Sequence, residues 1–164
     1  MAKVGIIMGS KSDFDIASAA IDVLKEFEIE TEVIVSSAHR TPARTSEWSR
    51  TADERGLDAI IALAGAAAHL AGVIASETNV PVIAVPVSAT SLNGMDALYA
   101  MVQMPGGIPV ATMAIGKAGA KNAGIFAAQI IGRKDRDMYK KLIAYREAMV
   151  EKVYKDNEAV QEML

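Results

Sequence analysis

KVGIIMGSKSD, residues 3 to 13, is a branched apolar run that halts at a glycine and passes into serine, lysine and aspartate. Residues 3 to 8 read as a short strand. Apolar side chains at successive positions require cover on both faces, which is the pattern of a parallel sheet and not of a half-solvated antiparallel one. The same description fits residues 32–35, 59–63, 81–85 and 109–113, which makes five predicted strands. Helical patterns fill the intervals. In the first, Ala17, Ala20, Ile21, Leu24 and Phe27 recur at helical spacing with Asp22, Lys25, Glu26 and Glu28 between them. The second opens with Thr41 as N-cap and Pro42 at the first helical position and ends near Gly56. Residues 66–78, 94–103 and 118–132 give three more, followed by a charged amphipathic segment from about Asp135 to Lys155. Such alternation predicts an α/β, doubly wound sandwich with right-handed crossovers, in which ligands sit at the carboxyl ends of the strands. No strand follows the long last helix, so it is expected to pack on another subunit.

Composition narrows the function. A length of 164 residues suits one domain spanning 1–164, and 51% hydrophobic with 23% charged residues argues against disorder. A net charge of −3 with no Lys/Arg cluster excludes the electrostatic footprint of a nucleic-acid binder. No apolar stretch approaches the ~20 residues of a membrane span. The absence of cysteine removes disulfides, thiolate metal sites and a cysteine nucleophile, and fits a cytoplasmic protein. Many alanines and nine methionines beside only 5% aromatics suggest closely packed helices and faces buried between subunits, hence a homo-oligomer.

If ligands meet the carboxyl edge, the residues just after each strand should be unusual. Gly9-Ser10-Lys11-Ser12-Asp13 has the composition of a phosphate cradle: glycine admits a ligand to the backbone, serines donate, and the following helix points its positive end at an anion. A competing reading makes Ser12 an N-cap paired with Asp15 in a capping box. The second strand ends in Ser36-Ser37-Ala38-His39-Arg40, directly before a helix start. Arg40 can grip a phosphate with two donors, and His39 can move a proton near neutrality. After the third strand come Ala64, Gly65, Ala66, Ala67, Ala68, His69 and Leu70, small residues that let a ligand come close; His69, opening an Ala-rich helix, reads as an ordered structural histidine. The loop from Gln103 through Met104 and Pro105 to Ile108 reads as a lid or a plain connector. Two histidines with no carboxylate cluster at ligand spacing leave a catalytic metal unsupported.

GSKSD at 9–13, SAHRTP at 37–42, AAAHLAG at 66–72 and QMPGGIPVATMAIGKAGAKNA at 103–123 together resemble the PurE family of purine biosynthesis, in order and spacing over nearly the whole chain. The resemblance implies a flavodoxin-like three-layer sandwich and an octamer with active sites at subunit interfaces. It implies conversion of N5-carboxyaminoimidazole ribonucleotide to 4-carboxy-5-aminoimidazole ribonucleotide with no metal, ATP or organic cofactor. By motif position, Ser10, Asp13 and Arg40 match nucleotide-binding residues, with Ser12 and Ser37 assisting at the phosphate and Asp13 near the ribose, and His39 matches the general acid/base. Gly65, Ala66, Ala67 and Ala68 would line a small apolar pocket for carbon dioxide under the 103–108 loop. The family commonly has glycine where Ala66 stands and proline where Ala71 stands. A related class that carboxylates the unsubstituted ribonucleotide directly tends to carry lysine at the position of Arg40 and to lack the AAHL segment, so this chain sides with the mutases. A nucleotide-binding module without chemistry is the third reading.

Overall fold

The computed structural model describes residues 2–164. Five strands, β1 (Lys3–Met8), β2 (Glu30–Val35), β3 (Ala59–Gly65), β4 (Val82–Val87) and β5 (Ala111–Thr112), form one parallel sheet in the order β2-β1-β3-β4-β5. Six helices connect or follow them: α1 (Phe14–Glu26), α2 (Pro42–Arg50), α3 (Leu70–Ala75), α4 (Met95–Val102), α5 (Lys117–Gly132) and α6 (Arg136–Gln161). The order reverses between β1 and β3, where consecutive connections leave toward opposite faces and open a crevice at the carboxyl edge.

Successive strand residues serve opposite faces, as the pleat demands. Val4, Ile6 and Met8 of β1 join Ile61 and Leu63 of β3 under α1 and α5, while Ile7, Ile60 and Ala62 join Trp48 of α2, Ile74 of α3 and Met101 of α4 on the other side. Both faces of β3 and β4 are therefore apolar. The alanine excess is explained by α1 and α5, whose Ala17, Ala20, Ala120, Ala123 and Ala127 are all fully buried on the first face. Gly5 is required on the second: a β-carbon there would stand 2.8 Å from both Leu57 and Trp48, so only glycine lets the indole lie on the sheet.

Several predicted boundaries shift for local reasons. β2 begins at Glu30 and, as an edge strand, leaves Val33 and Val35 exposed instead of covered on both faces. α2 stops at Arg50, and residues 51–56 form turns closed by Arg55 N to Thr51 O and Gly56 N to Asp53 O. α3 starts only at Leu70 because Ala66 takes the left-handed conformation, φ 54°, which no helix continues through. Thr41 does precede α2, yet its hydroxyl caps no helical N–H and turns back toward Ser37. α6 extends past the predicted end and is started by Asp135, whose Oδ1 accepts from the N–H groups of Asp137 and Met138 at 2.9 and 3.0 Å.

Candidate active site

The turn after β1 is built by Ser10 and Asp13, not by the Ser12–Asp15 pair. Ser10 Oγ accepts from Ser12 N at 3.3 Å and Asp13 Oδ2 accepts from Ser10 N at 3.2 Å, a reciprocal box around a single 3-10 turn. Asp13 is 6% exposed, and Ser12 Oγ donates to its Oδ1 at 3.2 Å. Burial pushes the Asp13 carboxyl above its ordinary value of 3.8, against the lowering bonds from Ser12 and Ser10 and the nearby Arg40 charge.

The turn after β2 comes to meet it. Arg40 reaches back across the β1–β2 gap and donates from Nη2 to the Gly9 carbonyl at 2.7 Å, which fixes the guanidinium while leaving its other N–H groups for a ligand. The neighbouring His39 lies on the opposite side of the turn, toward β3. Its Nε2 stands 3.2 Å from Nδ1 of His69, with the rings edge to face at 83°. That contact engages Nε2 of His39 and leaves its Nδ1 for other partners. His69, expected among the pocket residues of the third turn, is exposed at the edge and lines the same hollow as His39.

That hollow, about 350 Å³, is lined by Gly9, Ser10, Ser12, Asp13, Ser37, His39 and Arg40 from the first two turns and by Ala64, Gly65, Ala66, Ala67, His69 and Leu70 from the third. Gly65 is glycine because a β-carbon would press to 2.5 Å of the Ala89 β-carbon, closing the floor. Arg40 also borders an adjoining hollow of about 330 Å³ with Ser10, Lys11 and Ser37. Two predicted groups stay out. Ala68, 1% exposed, turns into the core beneath α3, because its N–H bonds back to the Ala66 carbonyl at 2.8 Å and directs the chain inward. Met104 and Pro105 lie off the hollow: Met104 packs its thioether on Gly72 of α3, and Gly107 to Pro109 share a cleft with Val80 to Val82 at the amino end of β4. A segment running from a helix into a strand is bound to lie at that edge, opposite the site.

Ala38 and Ala89 also line the hollow, and the sequence reading assigned no role to either. The position of Ala89, just past the end of β4, was legible from the same strand-end rule that exposed the other three turns. Among the described residues no group of three or more His, Asp or Glu side chains stands together as a metal site, and no helix is long and apolar enough to cross a membrane.

Comparison with known proteins agrees with this fold and gives the family. Residues 3–152 match the family model described as AIR carboxylase. The N5-carboxyaminoimidazole ribonucleotide mutase of Thermotoga maritima is 49% identical over 163 residues, covering 99% of this chain and 94% of that one. The protein of the same name from Bacillus subtilis is 56% identical over 144 residues, 88% of this chain and 89% of that one. Among solved structures, Treponema denticola PurE superposes with a TM-score of 0.85 at 29% identity, over 97% of this chain and 98% of that one.

Proposed function

Because the chain belongs to the AIR carboxylase family, we propose that it is an N5-carboxyaminoimidazole ribonucleotide mutase of purine biosynthesis, an isomerase that moves a carboxyl group from the exocyclic nitrogen to carbon 4 of the imidazole. The observation that carries the reading is the convergence of three strand-end turns on one hollow, with the Arg40 guanidinium tied to the Gly9 carbonyl and His39 paired to His69. Arg40 holds the substrate phosphate with Ser10, Ser12 and Ser37, and Asp13 faces the ribose. His39 is the proton carrier.

The chemistry needs one such group twice. Cleavage of the carbamate N–C bond leaves its electron pair on nitrogen, where His39 delivers a proton and carbon dioxide departs. Carbon 4 then attacks the trapped carbon dioxide, and the neutral His39 removes the carbon-4 proton, restoring the aromatic ring. Retaining carbon dioxide beside its acceptor makes recapture intramolecular, and the small apolar wall of Ala64, Gly65, Ala66 and Ala67 suits an uncharged linear molecule. A cover is also needed, and the 103–108 loop, at the far edge of its own sheet, reaches a site only across a subunit boundary. An octamer with shared sites is therefore part of the proposal, as is the cytoplasm, where a phosphorylated substrate that cannot cross a bilayer is held.

Supplying the carbamate and the unsubstituted ribonucleotide separately, and following ultraviolet absorbance of the common product, tests the reading. Turnover of the carbamate without added bicarbonate is expected, and His39→Asn should stay folded while kcat falls roughly 10²- to 10⁴-fold, the usual worth of a positioned proton carrier. Bicarbonate-dependent turnover of the unsubstituted nucleotide alone would make the protein a direct carboxylase. Binding of both without turnover would make it a binding module.

A further inference from the structure

Beneath the turn that carries His39 and Arg40 runs a chain of hydroxyls, outside the hollow that His39 lines, from exposed Thr41 through Ser36 to buried Thr45. Ser36 is 2% exposed and Thr45, one turn into α2, is 0% exposed. Ser36 Oγ stands 2.9 Å from Thr45 Oγ1 and 3.0 Å from Thr41 Oγ1. Thr41 in turn bonds twice to Ser37 through its hydroxyl, accepting from the Ser37 N–H at 2.9 Å and donating to the Ser37 carbonyl at 3.1 Å. The Thr41 N–H donates to the same carbonyl at 2.8 Å. The turn is thus tied at its base, between Ser37 and Thr41, and the hydroxyls of Ser36 and Thr45 link that tie to the core.

Each hydroxyl of the chain has a single proton to give. The Thr45 hydroxyl lies within bonding distance of both Ser36 Oγ at 2.9 Å and the Thr41 carbonyl at 3.2 Å, and that carbonyl also accepts the Thr45 N–H at 3.1 Å. When Thr45 donates to Ser36, Ser36 donates to Thr41 and Thr41 to the Ser37 carbonyl, so that every contact of the chain is a hydrogen bond and each hydroxyl gives its proton once. Such a row of aligned O–H groups in a dry interior is mutually reinforcing, and burying it is unfavourable unless every member is satisfied. Core packing alone would be met by valine and alanine at these two positions.

We propose that Ser36 and Thr45 are positioning residues, whose buried hydroxyls set the tilt of the 37–41 turn and so aim the imidazole of His39. The inference rests on the proton-carrier role given to His39 above. Arg40 is held separately, by the Gly9 carbonyl of the neighbouring turn. Loss of the hydroxyl chain should therefore reach proton transfer before it reaches binding, and a misplacement well under 1 Å at a reacting group is enough to slow a step severalfold.

Three variants test this: Thr45→Val, which keeps the shape and removes the hydroxyl; Thr45→Ser, which keeps the hydroxyl and removes a core methyl; and Ser36→Ala. Thr45→Val and Ser36→Ala are expected to lower kcat about tenfold with KM within about twofold of wild type. Thr45→Ser should keep the wild-type kcat although it unfolds at lower denaturant. The imidazole ¹⁵N signals of His39 and His69 should move in the first pair and stay in place in Thr45→Ser, a readout independent of any substrate. Wild-type kcat and unmoved imidazole signals in Thr45→Val and Ser36→Ala, or a Thr45→Ser variant as impaired as Thr45→Val, would overturn the proposal. A wild-type protein that turns over neither nucleotide would instead remove the assigned reaction, and the imidazole signals would still decide whether the hydroxyls aim the turn.

Discussion

Ala66 occupies a backbone conformation that L-residues resist, with φ at 54°, at the point where β3 breaks off to form the third wall of the hollow. Left-handed geometry is unfavourable for alanine by roughly 1–2 kcal/mol, whereas glycine adopts it freely and loses part of that gain through a more disordered unfolded chain. Ala66→Gly should therefore raise the unfolding free energy by about 0.5–1 kcal/mol, read from the midpoint of a denaturant titration. A lower midpoint would mean that the alanine methyl contributes more to the wall than its backbone strain removes. The glycine that the resembling family commonly carries here now has a physical meaning, which spacing alone did not supply. His39 and Arg40 were legible as a pair because they follow a strand and precede a helix. The contact of His39 with His69, 30 residues away, was not legible, since it depends on how two strand ends lie side by side.

At the scale of elements, α2 is tied to the sheet edge by Glu32 of β2. Its Oε1 accepts from Trp48 Nε1 at 2.6 Å and from Arg55 Nε at 3.0 Å, its Oε2 lies 3.2 Å from Lys3 Nζ, and Arg55 covers the indole at 5.1 Å. Burial raises the Glu32 pKa, but the bonds from Trp48 and Lys3 and the charges of Arg55 and Lys3 outweigh it, and the folded value lies below the ordinary 4.5. A depressed carboxylate stabilises the fold above its unfolded pKa and loses that contribution as pH falls through the folded value. Glu32→Gln should cost about 1–2 kcal/mol at pH 7, given a partly exposed site, and the gap from wild type should narrow steadily below pH 4.5. A gap that does not change with pH would show that shape, not charge, holds α2 in place. β1, β3 and β4 were legible because buried parallel strands are apolar throughout, and β2 because the Val33-Ile34-Val35 run keeps that look even at an exposed edge. The ends of α2 and α3 were not, because a left-handed residue and a run of tight turns leave no mark on hydrophobic periodicity. The placement of the 103–108 loop was decidable in principle, since it follows a helix and precedes a strand and so must lie at the amino edge.

On the scale of the whole molecule, the exposed apolar side chains are not scattered. Leu92, Met95, Tyr99 and Val102 make one stripe along α4, and Met149, Val150, Val153 and Tyr154 make another on α6. α6 packs on its own chain only through its first turns, where Met138 and Leu142 are buried and Tyr145 meets Phe27 at 5.4 Å between ring centroids; from Arg146 onward every residue is exposed. Good helix formers and the Lys152–Asp156 pair account for its helicity, but not for the exposed apolar stripe, which fits a face buried against another surface. If that surface belongs to other copies, charging it should leave the subunit intact and dismantle the assembly. The double variant Val150→Glu, Val153→Glu is expected to keep the far-ultraviolet dichroism of the sheet and the inner helices. If the assembly is the octamer proposed above, its light-scattering mass should fall from eight times the 17.3 kDa of one chain toward that of single chains or small assemblies. If a neighbour's loop covers the hollow, as proposed above, turnover should fall with the mass, because carbon dioxide escapes to solvent once the neighbour leaves. An unchanged mass would mean that this stretch of α6 lies outside the subunit contacts, and an unchanged turnover at reduced mass would mean that each chain closes its own site.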